Sequence, residues 1–164
     1  MSVAHLHLLL NHVPVIGVVG IVLLLAIALL RGSNEIAKLS LGLLILIGVV
    51  AVVVYLTGES AEELVEGIPG ISESILGRHE DLAKVATIAT GALGLLALSA
   101  LIRFRRDQLP RWVTGSVLVA SLGVSGVMGV VANTGGQIRH SEIRPGAVAA
   151  GEQDEDATSG ERER

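Results

Sequence analysis

The chain has 164 residues, of which 51% are hydrophobic and 17% charged, and a formal net charge of −4. That composition excludes a disordered chain and falls below the roughly one quarter of charged residues in soluble domains. The apolar residues gather into four blocks of near-spanning length, the pattern of an integral protein of a lipid bilayer. The net charge belongs to residues 145–164, with six acids and two bases; the rest of the chain balances at ten of each, which excludes a nucleic-acid surface. The absence of cysteine excludes disulfides, cysteine-ligated clusters and covalently attached c-type haem.

The first block, about residues 5–30, carries no charge before Arg31. No basic segment precedes it and no small-residue cleavage site follows, so it reads as a retained span and not a signal peptide. From Pro14 to Leu30 a helix rises only ~25 Å, short of the ~30 Å hydrocarbon core. The expectation is a longer helix kinked at Pro14, which takes in His5, His7 and His12. His5 and His12 lie two turns apart and share a face, with His7 pointing the other way. His5 and His12 are therefore the expected pair, His12 deeper and beside Asn11.

The second block covers about 36–56, with Lys38 near its start and Tyr55 near its end. An acidic connection follows. Ser60 with Glu63 forms a capping box that predicts a short helix at 61–66, Gly67 to Gly70 breaks it, and 71–78 forms a second short element on the membrane surface. The third block is about 82–102, preceded by His79 and Glu80. Glu80 and Asp81 complement the positive helix N-terminus, which leaves His79 unexplained. The fourth is about 112–133, with Trp112 at its interface. Gly135-Gly136 predicts its end, and 137–142, with His140 and Glu142, folds back over the bundle mouth. Residues 145–164 read as a disordered acidic tail behind a membrane domain of residues 1–144. The fold class is all-α: a four-helix transmembrane bundle with a short amphipathic acidic loop helix between spans two and three.

The basic residues give the bundle a direction. Arg31, Lys38, Arg103, Arg105, Arg106 and Arg111 gather at the first and third connections, whereas the second carries Arg78 and six Glu. By the positive-inside rule the first and third connections are cytoplasmic and both termini lie outside, which in a bacterium is the periplasm. All five His then gather on the outer side with Glu59, Glu62, Glu63, Glu80 and Glu142. The glycines of the third and fourth spans (Gly91, Gly94, Gly115, Gly123, Gly126 and Gly129) admit two readings. Small residues let membrane helices pack closely, or they leave a flat surface for a macrocycle.

The segments His5-Leu-His7-Leu-Leu-Leu-Asn11-His12-Val-Pro14, Tyr55-Leu-Thr57-Gly58-Glu59-Ser-Ala-Glu62-Glu63, His79-Glu80 and Gly135-Gly136-Gln-Ile-Arg139-His140-Ser-Glu142 together resemble a family of uncharacterised bacterial membrane proteins with four spans. The resemblance covers about residues 5–145. It implies a bacterial inner-membrane protein and a loose association with haem or respiratory settings, and it supplies no catalytic residue.

Three functions fit these residues. One is a redox or electron-transfer subunit holding a b-type haem near the outer face, ligated by His12 with His79 or by His12 with His140, with Asn11 or Glu59 fixing the second imidazole nitrogen. Another is a non-haem site for iron, manganese or zinc, built from His5, His12, Glu59, His79, Glu80 and His140. The third is a non-catalytic assembly subunit. The partners that follow are a membrane redox protein or further copies of the chain.

Overall fold

The computed structural model describes residues 2–144. The expected acidic tail at 145–164 lies outside the described residues. The chain forms α1 (Val3–Leu10), α2 (His12–Arg31), α3 (Asn34–Leu56), α4 (Gly58–Glu62), α5 (Glu73–Arg103) and α6 (Arg111–Arg139), then a 3-10 turn at Ser141–Ile143.

Ser2 caps α1, its Oγ accepting from the His5 amide. Between α1 and α2 only Asn11 departs from the helix, and its own dihedrals stay helical at φ −58° and ψ −29°. Pro14 is the cause. It has no N–H for the carbonyl of Leu10, and its ring crowds that carbonyl. The break therefore falls three residues before the proline, and α1 and α2 make one apolar path of 29 residues from Val3 to Arg31. Gly32 ends α2 in the left-handed conformation, φ 62°, which a side chain would resist. Ser33 then caps α3 through the Ile36 amide, so two residues suffice to reverse the chain.

α2, α3, α5 and α6 form a closed ring in which each helix packs on the next and α6 returns to α2. This is an up-and-down four-helix bundle. Its core is built from stripes at alternating spacings of three and four: Val18, Ile21, Leu25 and Ala28 on α2, and Ala86, Leu93 and Ala97 on α5 with Thr90 between them. The outside is equally apolar. Leu23, Leu46, Leu96 and Val119 are each at least 58% exposed. Apolar surface on every side has no stable place in water. Four helices long and apolar enough to cross a bilayer complete the case for a multi-pass membrane protein.

Glycine sets the closest approach. A Cβ on Gly48 would lie 3.3 Å from the Thr90 carbonyl, and one on Gly94 would lie 3.6 Å from the Leu44 carbonyl. The α3–α5 contact is thus backbone on backbone, and these two glycines serve packing. Gly123, Gly126 and Gly129 meet nothing within 4 Å and lie on the outer face of α6.

One end of the bundle carries most of the arginines. There Lys38 Nζ donates to the carbonyls of Arg105 (3.3 Å) and Asp107 (2.8 Å), Asn34 Oδ1 accepts from the Leu109 amide at 2.8 Å, and Arg111 donates to the Leu29 carbonyl at 3.0 Å. The Asn34 and Arg111 bonds border a cavity of about 260 Å³ between the ends of α2, α3 and α6.

The other end differs from the sequence expectation in three places. The loop helix is Gly58–Glu62, not 61–66, and the box at Ser60 is unused. The helix starts earlier because α3 ends at Thr57, whose hydroxyl turns back onto the Val53 and Val54 carbonyls and lets the chain begin a new turn at once. The surface element expected at 71–78 is the first two turns of α5, which begins nine residues before the expected span. Gly135-Gly136 does not end the fourth helix. Among the described residues only Gly32, Gly67 and Gly70 have positive φ, so nothing at 135–136 turns the chain left-handed. α6 continues to Arg139, and Arg144 satisfies its last carbonyls, donating to Gln137 at 2.9 Å and Ile138 at 3.1 Å. A further bond from Arg144 to the Gly70 carbonyl, 2.9 Å, ties the acidic connection to α6.

Candidate functional site at the histidine end

The inner stripe of the first span can be followed outward from the core. Ala28, Leu25, Ile21, Val18 and Pro14 are buried, and the same alternation of three and four leads on to Asn11, His7 and Ala4. On α5 the sequence Ala97, Leu93, Thr90 and Ala86 leads in the same way through Ala83 to His79 and Leu76. His7 and His79 therefore occupy core positions where each stripe reaches the histidine end of the bundle. Both are half-buried.

Each ring is held by the same device. His7 Nδ1 lies 2.9 Å from the Val54 carbonyl on α3, and Thr57 Oγ1 stands at the outer limit of hydrogen bonding, 3.5 Å. His79 Nδ1 lies 3.2 Å from the Val131 carbonyl on α6. A carbonyl only accepts, so Nδ1 must carry the proton in both rings. In the neutral imidazole Nε2 is then the bare nitrogen, with its lone pair available to a metal or a donor. Glycine makes room for both rings. A Cβ on Gly135 would sit 3.0 Å from His79 Cε1, and one on Gly58 would sit 3.6 Å from His7 Cε1.

Asn11 lies one turn deeper than His7 on the same face, its amide bonded to the His7 carbonyl at 2.9 Å. Its side-chain Oδ1 is buried and has no hydrogen-bond partner. Nearly all buried polar atoms in folded proteins are partnered; among the described residues this oxygen shares the exception with the Ser121 and Ser125 hydroxyls midway along α6.

The remaining expected residues lie elsewhere. His5 and His12 are exposed on the outer side of their helices, so the expected preference for that pair over His7 is reversed. The face that His5 and His12 share is the face opposite the core stripe. His140 is exposed and pairs with its neighbour, Nδ1 to Glu142 Oε1 at 2.8 Å. The Glu142 backbone amide and the His140 ring together hold the Glu142 carboxyl below the usual range. Glu59 and Glu80 are exposed. They crowd with Glu66 around Glu62: partial burial first, then the charges of Glu80, Glu66 and Glu59, hold the Glu62 carboxyl above its ordinary value. Among the described residues no three His, Asp or Glu side chains are arranged to hold a metal ion, so the expected set of His5, His12, Glu59, His79, Glu80 and His140 is not assembled.

Sequence reasoning passed over His7 because it compared the histidines with one another. The signal was its register with the apolar stripe below it.

No family model matches the chain, and comparison with curated proteins and with solved structures gave no match. The resemblance noted from the sequence therefore adds no family residue to this site. What the fold and surface define is a class: a multi-pass, all-α membrane protein.

Proposed function

We propose that the protein is a multi-pass protein of a bacterial inner membrane that holds a b-type haem at the histidine end and acts there as an electron-transfer subunit. In this reading His7 and His79 would hold the haem iron, each through Nε2. The observation that carries it is the pair of inward imidazoles with Nδ1 anchored to the carbonyl of a neighbouring helix. Ligating histidines need such a partner, which fixes the tautomer and the ring plane. The number of ligands favours haem over a bare ion. Structural and catalytic zinc sites take three or four protein ligands, whereas haem iron, held by its own macrocycle, takes at most two. The buried Oδ1 of Asn11 leaves one acceptor free below His7. When bound, the haem supplies a one-electron couple; the chain binds it and sets the orientation of both imidazoles.

The test is the visible spectrum of the detergent-purified protein with and without dithionite, beside its metal content. A Soret band that shifts on reduction and is lost in both His7→Ala and His79→Ala supports the assignment. A band that survives both substitutions overturns it. A colourless protein with stoichiometric iron, manganese or zinc supports the ion instead.

A second reading, a non-catalytic subunit of a larger assembly or of a homo-oligomer, is favoured by the outward glycines of α6. It is supported by a protein with neither haem nor metal that migrates with a partner in mild detergent. In either reading the arginine asymmetry supports an orientation with both termini in the periplasm. A reporter fused after Arg164 and active only in the cytoplasm would refute that orientation.

A further inference from the structure

At the arginine end, on the lipid-facing side, a groove of about 330 Å³ runs between α5 and α6. Its wall is almost wholly apolar, and small residues keep it open: Ala100 on α5, and Ser116 and Ala120 on α6, with Leu96 alongside. Larger side chains at those positions would fill it. The lining on α5 begins at Leu93 and ends at Arg103. Ten residues of helix rise ~15 Å, about half of a ~30 Å hydrocarbon core. The groove therefore has the depth of one leaflet.

Its outer end is cationic and aromatic. Arg103 closes α5 with its guanidinium 5.1 Å over the Phe104 ring, and the exposed Trp112 stands opposite on α6. Arg105 and Arg106 follow in the connection. Among the described residues no carboxylate pairs with Arg103, Arg105 or Arg106. The acids at this end of the bundle are Asp107, whose carbonyl serves Lys38, and Glu35 at the start of α3. Tryptophan and arginine at this depth mark the level of the headgroups.

We infer that this groove is a binding site for an anionic phospholipid, with one acyl chain between α5 and α6 and the phosphate against Arg103. A cleft one leaflet deep matches the chain. An unpaired guanidinium at its mouth matches a headgroup with net negative charge, and a zwitterionic headgroup, whose own ammonium offsets its phosphate, fits it less well. The Arg103 guanidinium lies 5.1 Å over the Phe104 ring, a cation–π contact that uses no N–H donor and leaves the donors for phosphate oxygens.

The chain has one tryptophan, and it stands at the groove mouth, so its fluorescence reads occupancy directly. The full chain is placed in phosphatidylcholine nanodiscs, and brominated phosphatidylglycerol or brominated phosphatidylcholine is added in steps. The expected result is that Trp112 is quenched at several-fold lower mole fraction of the anionic phosphatidylglycerol. Arg103→Gln lowers that preference about fivefold, the effect of ~1 kcal/mol per arginine near the surface. Arg103→Lys keeps most of it. Ala120→Leu, which fills the groove and leaves every charge in place, removes the preference as well. Equal quenching by the two lipids overturns the site. A preference that survives Arg103→Gln assigns the anion to bulk charge and overturns the headgroup contact, and one that survives Ala120→Leu overturns the chain seat. None of these outcomes depends on whether the histidine end binds haem.

Discussion

The two ends of the bundle are built on opposite principles. At the arginine end the helix ends are tied to the connection between α5 and α6. Asn34, Lys38 and Arg111 hand their polar groups to backbone amides and carbonyls of neighbouring segments. At the histidine end two half-buried rings, an unpartnered buried carbonyl and four crowding carboxylates occupy the same place. A chain optimised only for cohesion would leave none of these. Local costs that the rest of the fold must offset collect where a function is. The contrast therefore points to the same end as the free Nε2 atoms, by an independent route.

The largest expected effect is at the tied end. Asn34→Ala removes the acceptor of the Leu109 amide, next to a leucine only 9% exposed. A buried donor left without a partner costs about 1–3 kcal/mol. In a chain of this size that lowers the melting temperature in detergent by several degrees, at roughly 2–4 °C per kcal/mol. An unchanged melting temperature would mean that water already serves that amide, and that the arginine end is no better satisfied than its opposite.

At the other end the sign reverses. Asn11→Leu keeps a comparable volume and removes a buried oxygen that has no partner. In protein free of any cofactor the variant is expected to melt higher, by an amount equivalent to about 1 kcal/mol. Thermal unfolding followed by circular dichroism reads this. A lower melting temperature would show that Oδ1 has a partner after all and would remove one of the features that set this end apart.

How much of this was legible in the sequence depends on what kind of signal each element carried. Span number and fold class came from block hydropathy, which depends on composition and tolerates errors of register. The site depended on register. Read against Val18, Ile21 and Leu25, the positions of His7 and Asn11 belong to the core stripe and those of His5 and His12 to the outside. Comparing the histidines only with one another discards that information. The acidic connection was misread for another reason. Ser60 and Glu63 satisfy the capping pattern, but Thr57 bonds the last carbonyls of α3 and brings the next helix forward. A local motif lost to a neighbouring helix end. Gly135 does not end the helix because it serves tertiary contact, giving the His79 ring its place on α6.

The smallest effect concerns the carboxylates. Glu62 is held above the ordinary glutamate value of 4.5, by partial burial first and then by Glu80, Glu66 and Glu59. The folded state thus binds its proton more tightly than the unfolded chain does. Stability from this group is fully present below the ordinary value and falls as pH rises towards the raised folded value. Above that, the charged carboxylate is a constant cost. Solvent screens it, since Glu62 is only partly covered. Glu62→Gln removes the cost at neutral pH and flattens the difference between neutral and acid melting temperatures. Comparing variant with parent cancels the opposite contribution of Glu142, which is held below the usual range. If the variant melts lower than the parent at neutral pH, the four acids are not repelling one another, and a bound cation or a donor between them must be holding that end together.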